Sequence, residues 1–200
     1  MHALIVVSHP LDMSLTHGVA AAIAEGIVAA DPANTFEIAD LTQQGFDPVY
    51  GAADIAAFLK TATVPADILA EQKRIDSADA LVLVFPIYWW SMPALLKGWV
   101  DRVFSNGWAY EETADGAVVK KLGHLPVHLV ALGAASKGVY DRHGFTDAFN
   151  AQITHGIFDY CGASVKTSEM LLLPELGEPK AYLDAARQIG RTVFQPAYAE

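Results

Sequence analysis

The sequence predicts one α/β domain built on a doubly wound, five-stranded parallel sheet with helices on both faces. Short apolar segments recur along the chain, helical patterns separate them, and the 200 residues are 52% hydrophobic, enough for one sizeable core. Continuous apolar segments are typical of strands that are buried on both faces of a parallel sheet, with helices as the covering layers. We therefore expect residues 1–200 to form a single domain.

Five segments carry the strand pattern. Residues 3–7 form the first, and residues 35–40 alternate between polar and apolar side chains, which predicts a more exposed strand. Residues 80–85 and 127–132 are almost wholly apolar and are expected at the centre of the sheet. Residues 164–173 supply the fifth strand.

Helical periodicity fills the spaces between these strands. Residues 15–29 repeat apolar side chains at steps of four behind Ser14, a residue type that favours the N-cap position. Residues 93–104 begin with proline, which suits the first turn of a helix. Residues 145–160 and 179–194 complete the alternation of strands and helices, which implies right-handed crossovers.

Composition excludes several classes of partner. The formal net charge of −10, from 23 acidic and 13 basic residues, repels nucleic acid and anionic lipid surfaces. Cys161 is the only cysteine, so no internal disulfide can form and a reducing compartment is favoured. The apolar segment at the amino terminus is too short for a signal peptide or a membrane span, which predicts a cytoplasmic protein. A homodimer is a common way to cover the remaining apolar surface.

In an open α/β sheet, ligands bind beyond the carboxyl ends of the strands. The first such turn, residues 8–16, leads into a helix whose free N–H groups and dipole favour an anion such as phosphate. Ser14 and Thr16 add hydroxyl donors, and His9 stands beside them; a hydrogen-bonding turn residue is the other interpretation of His9. Neither a Gly-x-Gly-x-x-Gly motif nor a nucleotide-triphosphate loop is present in this turn.

The second turn, residues 85–93, is rich in aromatic residues. Tyr88, Trp89 and Trp90 follow a central strand, where packing alone does not require them. Such rings suit a flat aromatic ligand, because ring contacts add about 0.5–1.5 kcal/mol beyond area burial. The alternative is a loop that covers the core or a dimer seam.

The third turn, residues 133–143, begins with Gly133, which lets backbone N–H groups approach a ligand closely. Tyr140 and His143 could exchange a proton and stabilise negative charge on a reduced cofactor. The alternative is that both residues simply order a polar loop.

Two other chemistries have partial signals in the sequence. Residues 134–138 approach the nucleophile elbow of serine hydrolases around Ser136, but that elbow needs a helix directly after the serine, and residues 138–144 are predicted to be a loop. His124 and His128 would lie about 13 Å apart in an extended segment, too far to share one ion. No metal site is therefore expected.

Residues 85–104 read Phe-Pro-Ile-Tyr-Trp-Trp-Ser-Met-Pro-Ala-Leu-Leu-Lys-Gly-Trp-Val-Asp-Arg-Val-Phe, and residues 107–110 read Gly-Trp-Ala-Tyr. Together they resemble the signature of the flavodoxin-like NAD(P)H:quinone oxidoreductases, the DT-diaphorase type and its bacterial relatives. The first turn also resembles the pattern of that family, with Leu15 in place of its aromatic residue and Thr16 in place of its asparagine. The resemblance implies a flavodoxin-like fold.

It also implies roles for individual residues. Tyr140 and His143 would be the catalytic pair beside the flavin, and Trp108 and Tyr110 would form a substrate pocket with Trp90. The residues implied in cofactor binding are His9, Ser14, Leu15, Thr16, Pro86, Ile87, Tyr88, Trp89, Trp90, Gly133, Ala134 and Tyr140.

The implied activity is transfer of a hydride from NAD(P)H through bound FAD, with FMN as the alternative flavin, to a quinone in ping-pong order. The implied assembly is a homodimer with the active site near the interface. Three alternatives stay open: a flavin-binding electron carrier, a regulatory subunit of a membrane transporter, and a reductase of azo or nitroaromatic compounds. Residues that would choose NADH or NADPH are not identified.

Overall fold

A computed structural model describes residues 1–195 of the chain. The five strands of the main sheet are all parallel, in the order β2-β1-β3-β6-β7. Their bounds are His2–Val7 for β1, Thr35–Asp40 for β2, Ala80–Pro86 for β3, Pro126–Gly133 for β6 and Ser164–Leu172 for β7. A two-stranded antiparallel hairpin, β4 (Tyr110–Glu112) and β5 (Val118–Lys120), lies between β3 and β6 in the chain. The predicted doubly wound sheet of five strands is confirmed.

Apolar segments form the inner strands because both of their faces are covered. Ala3, Ile5 and Val7 of β1 face one core, whereas Leu4 and Val6 face the other. β2 lies at the edge of the sheet and its first four residues are exposed, as its alternating pattern predicts.

The helices form the two outer layers. They are α1 (Leu15–Ala30), α2 (Ala52–Phe58), α3 (Ala66–Asp76), α4 (Ala94–Val103), α5 (Lys137–His143), α6 (Phe145–Phe149), α7 (Leu173–Leu176) and α8 (Pro179–Thr192). α1 and α8 pack on one face of the sheet, and α3 and α4 lie on the other. Gly26 and Gly190 bring the backbones of α1 and α8 into contact, because a Cβ at Gly190 would overlap the carbonyl oxygen of Ile23.

Two predicted elements need correction. Residues 138–144 are not a loop: Lys137–His143 is α5, which starts after Ser136, carries a Lys137–Asp141 ion pair at 2.8 Å and stops at Gly144 with φ +66°.

The predicted α-helix at 145–160 is also wrong after its first turns, because α6 continues as a π-helix over Asn150–Asp159. Phe149, Ile153 and Phe158 are buried along it. The last interval is five residues, which matches the i→i+5 hydrogen bonding of a π-helix, so Phe158 is fully buried whereas Ile157 packs against the same core only partly buried.

Candidate functional site

Three connections meet at the carboxyl edge of the sheet, because β1, β3 and β6 are neighbours. The main-chain N–H of Ser8 donates to the carbonyl oxygen of Val84 at 3.3 Å, which ties the first connection to β3. The N–H of Ile87 donates to the carbonyl oxygen of Leu132 at 2.8 Å, which ties the second connection to β6.

The first connection ends in a helix start that can receive an anion. Ser14 is the N-cap of α1, and its Oγ accepts a hydrogen bond from the N–H of His17 at 3.3 Å. Within residues 1–195, the N–H groups of Leu15 and Thr16 have no main-chain or side-chain acceptor. These donors and the dipole of a 16-residue helix favour a phosphate at this place. His9 is half-buried, and its Nδ1 accepts from the N–H of Leu11 at 3.1 Å.

The second connection is a tight turn in which Tyr88 and Ser91 exchange main-chain hydrogen bonds, both 3.1 Å long. Its two central residues have left-handed backbones, with φ +50° for Trp89 and +66° for Trp90. Large side chains rarely adopt this conformation, and such strain is concentrated at functional sites. Trp89 is 93% exposed, whereas the ring of Trp90 stacks on Phe145 with 3.9 Å between the centroids.

A cavity of about 180 Å³ lies between the second and third connections. Its lining is mainly aromatic and small, and consists of Ile87, Trp89, Trp90, Ala134, Ala135 and Tyr140. Gly133 precedes this lining at the end of β6 and allows Tyr140 to approach closely: a Cβ on Gly133 would stand 2.7 Å from the hydroxyl of Tyr140 and 2.7 Å from Cδ2 of Leu172. Ala135 was not among the residues expected from the sequence, and only its place two residues after the end of β6 could have indicated it.

The structure separates the two expected catalytic residues. Tyr140 is 2% exposed, its ring meets that of Trp90 edge to face at 5.4 Å, and burial raises the pKa of its phenol above the ordinary value. His143 is exposed at the end of α5, where it stacks on Phe145 with 5.3 Å between the centroids. Tyr140 therefore lines the cavity, and His143 does not.

The other expected positions lie around this centre. Pro86 ends β3 and Tyr88 is 44% exposed beside the tryptophans. Trp108 donates from Nε1 to Oδ1 of Asp76 at 3.0 Å, and Tyr110 packs edge to face on Tyr160 at 5.4 Å. Trp108 and Tyr110 are thus not part of the lining of the cavity. Of the three residues expected in the substrate pocket, Trp90 is the one that lines it.

The residues behind the two alternative chemistries have ordinary roles in the structure. Ser136 does precede a helix, contrary to the sequence prediction, yet within residues 1–195 its hydroxyl has no histidine partner. His128 is buried, with Nδ1 2.9 Å from Oγ1 of Thr167 and Nε2 3.1 Å from the carbonyl oxygen of Val193.

Across the described chain, no three His, Cys, Asp or Glu side chains converge as metal ligands would. None of the helices in that part is long and apolar enough to cross a membrane.

Sequence analysis missed one cluster next to the anion-binding turn. His17 joins Ser14 to Asp40: its Nδ1 lies 2.8 Å from Oγ of Ser14 and its Nε2 lies 2.7 Å from Oδ2 of Asp40. Asp40 is 23 positions from His17 and ends β2, so only the pairing of β1 with β2 brings the two together.

Comparison with known proteins places the chain among oxidoreductases. An NAD(P)H oxidoreductase of uncharacterised function from Haemophilus influenzae is 30% identical over 162 residues, which cover 81% of this chain and 79% of that protein. The ribosyldihydronicotinamide dehydrogenase [quinone] of Pongo abelii is 28% identical, over 80% of this chain and 79% of its own. The NAD(P)H:quinone oxidoreductase of Methanothermobacter marburgensis has a solved structure that superposes with a TM-score of 0.83 at 26% identity, over 96% of this chain and 98% of that one.

The family model described as flavodoxin-like fold matches residues 1–190. The resemblance that the 85–110 segment indicates is confirmed by this match and by the quinone oxidoreductases among the relatives. The chain belongs to the flavodoxin-like fold family.

Proposed function

We propose that this protein is a flavin-dependent NAD(P)H dehydrogenase that passes a hydride from NAD(P)H to a quinone. The observation that carries the proposal is the aromatic cavity formed by Trp89, Trp90 and Tyr140, on the same sheet edge as the anion-binding start of α1. A flavin nucleotide has the same two parts, a flat ring system and a phosphate. The relatives with quinone oxidoreductase names support the acceptor class.

The residues present fit a flavin. The cavity is lined by flat aromatic rings and by the small residues Ala134 and Ala135, which leave room for a ring system between them. The flavin ring would contact five residues of the second connection, Pro86, Ile87, Tyr88, Trp89 and Trp90. The main chain of Gly133 and Ala134 would donate hydrogen bonds to it. Ser14, Leu15 and Thr16 would hold the phosphate, with His9 beside them. FAD is the flavin we propose, and FMN is its alternative.

Bound flavin supplies the hydride exchange with both substrates. Because burial raises the pKa of Tyr140, the phenol stays protonated at neutral pH and can donate a hydrogen bond to negative charge in the cavity. His143 would act as its proton-transfer partner from the exposed end of α5. Of the three residues expected in the substrate pocket, Trp90 would bound the place of the quinone, because it is the one that lines the cavity.

A homodimer would complete this site. Trp89 is 93% exposed and Tyr88 is 44% exposed in the single chain, so both can be covered only by a ligand or a second copy. We propose that the active site lies near that interface. Sedimentation equilibrium should give twice the 21.5 kDa mass of the chain, and a monomer at micromolar concentration would contradict this part of the proposal.

The test of the function begins with the visible absorption spectrum of the purified protein, before and after addition of FAD and FMN. A flavin spectrum is expected, and chromatography of the released chromophore distinguishes FAD from FMN. NADH and NADPH oxidation is then followed with a quinone, an azo dye and a one-electron acceptor. Protein that stays colourless with both flavins, or flavoprotein that does not oxidise either nicotinamide, would refute the proposal.

The matched variants are Tyr140→Phe and Tyr160→Phe. Tyr140→Phe removes a phenol that lines the cavity, and we expect turnover to fall about 100-fold or more, the range of one lost proton donor. Tyr160→Phe changes a tyrosine that packs on Tyr110 away from the cavity lining, and should leave turnover unchanged.

A further inference from the structure

The anion-binding turn lacks the cationic side chains that phosphate sites commonly use. Residues 1–59, which include β1, α1 and β2, contain no lysine or arginine, and the turn itself carries Asp12. Its only side chains that can become positive are His9 and His17, whose ring centroids are 6.1 Å apart. Residues 1–59 therefore offer a phosphate here only an imidazole or the helix dipole as a source of positive charge.

His17 is the imidazole with a built environment. Its side chain is 18% exposed and that of Asp40 is 10% exposed, so the contact between them is largely shielded from water. Asp40 is fixed in turn, because its Oδ1 accepts from the N–H groups of Thr42 at 3.0 Å and Gln43 at 3.2 Å. The carboxylate therefore holds Nε2 of His17 in place while Nδ1 faces Ser14.

The direction of the Ser14 hydroxyl depends on the protons of His17. When His17 is neutral and its Nε2–H donates to Asp40, Nδ1 is a hydrogen-bond acceptor. The hydroxyl of Ser14 then donates to Nδ1, and only the lone pairs of that hydroxyl remain for a ligand. With a proton on both nitrogens, Nδ1–H donates to Oγ of Ser14. The hydroxyl hydrogen is then available to an anion, and the imidazolium is stabilised by Asp40.

We infer that Asp40, His17 and Ser14 form a proton-linked switch that selects anionic phosphate at the start of α1. His17 is a positioning residue in this arrangement: binding of a phosphate group draws one proton from solvent onto Nδ1, and the Ser14 hydroxyl turns to donate to the phosphate oxygen. The inference rests on the proposed flavin function and concerns the phosphate half of that ligand.

The other charged groups near α1 have partners of their own. In α8, which packs on α1, Lys180 pairs with Asp184 and Arg187 pairs with Asp184 and Glu25. In β2, Glu37 pairs with Arg74, and in β1, His2 meets Thr35. β3 has no titratable side chain. Asp40 and His9 are thus the titratable groups that face His17.

The test compares FMN with riboflavin, which has the same ring and no phosphate. Dissociation constants are measured by fluorescence titration for the wild type, His17→Ala and His155→Ala. His155 is a matched control because it pairs with Asp159 at 3.5 Å on a helix but is 84% exposed. We expect His17→Ala to weaken FMN binding about tenfold, as for a lost hydrogen bond to a charged group, and to leave riboflavin binding unchanged. His155→Ala should change neither.

Proton uptake is measured by calorimetry at pH 8 in two buffers of different ionisation enthalpy. The phosphate of FMN is already a dianion at this pH, because its second pKa is about 6, so a proton taken up on binding enters the protein. We expect uptake approaching one proton in the wild type and none in His17→Ala.

The outcomes separate the inference from the function. If the wild type binds both flavins and His17→Ala keeps the same preference for FMN, or the same proton uptake, the switch does not exist. Equal loss of FMN and riboflavin in His17→Ala would show a structural role and also overturn the inference. If the wild type bound FAD but not FMN, the inference would be overturned and the function would stand, whereas a wild type that bound neither FAD nor FMN would overturn the proposed function itself.

Discussion

Replacing Trp89 by asparagine should stabilise the protein, although a tryptophan is removed. Trp89 has φ +50°, and a large side chain in this left-handed region costs about 1–2 kcal/mol, whereas asparagine tolerates it. Because the side chain is 93% exposed in the single chain, its removal sacrifices almost none of the area that the chain buries by itself. We expect the free energy of unfolding to rise by about 1 kcal/mol, and the thermal midpoint by about 2–4 °C for a chain of this size.

Trp90→Asn is the matched variant with the opposite expected sign. Trp90 has a similar backbone, with φ +66°, but its ring stacks on Phe145 and meets Tyr140 edge to face. Loss of these contacts and of part of the buried area costs about 2–3 kcal/mol, which exceeds the strain relieved. We expect a net loss of about 1–2 kcal/mol.

Both variants are measured without flavin by urea and thermal unfolding, followed by circular dichroism. Trp89→Asn should also weaken flavin binding, because Trp89 lines the cavity. A Trp89→Asn protein that is less stable than the wild type, or two variants that shift in the same direction, would refute the assignment of strain to this turn.

Three further predictions concern the core. Burial lowers the pKa of His128 to about 4, below its ordinary 6.5, so the unfolded chain binds the extra proton first. The free energy of unfolding should therefore fall by about 3 kcal/mol as the pH drops from 6.5 to 4. His128→Gln should flatten this part of a pH profile measured by urea unfolding. Gly190→Ala should destabilise by about 1–3 kcal/mol in thermal unfolding, since the new Cβ overlaps the backbone of α1, and an unchanged midpoint would contradict the close contact. Arg102 and Asp54 form a buried ion pair at 3.1 Å. Arg102→Met removes this partner of the buried Asp54 carboxylate, so it should lower the free energy of unfolding in urea by about 3–5 kcal/mol. The loss should be smaller in the double variant that also carries Asp54→Asn.

Sequence patterns located β1, β3 and β6 because each buries a continuous apolar segment, and β2 because its polar and apolar side chains alternate at the edge of the sheet. α3 was missed for the opposite reason. Its buried positions include Glu71 and Gln72: Glu71 accepts from Nε1 of Trp99 at 2.8 Å, and Gln72 donates to the carbonyl oxygen of Val103 at 2.9 Å. Polar side chains that are satisfied inside the core leave no apolar periodicity in the sequence.

The candidate site was predictable where residue type alone indicates chemistry. Aromatic residues after a central strand marked the cavity, and a serine before an apolar helix marked the anion-binding turn. The Asp40–His17 contact was not predictable, because it depends on which strand lies beside β1. The position of His143 outside the cavity lining depends likewise on α5, whose Gly138, C-capping Gly144 and short length favour a loop in the sequence.

The glycine contact between α1 and α8 has a consequence for biosynthesis. Glu25 of α1 and Arg187 of α8 are bonded across 162 positions of chain, so the apolar side of α1 waits for its partner until nearly all of the chain has been made. At translation rates of about 5–20 residues per second, this delay is about 10–30 s. During that time the side of α1 that carries Gly18 and Gly26 stays uncovered on the nascent chain, because in the folded protein it meets Leu183, Arg187 and Gly190 of α8.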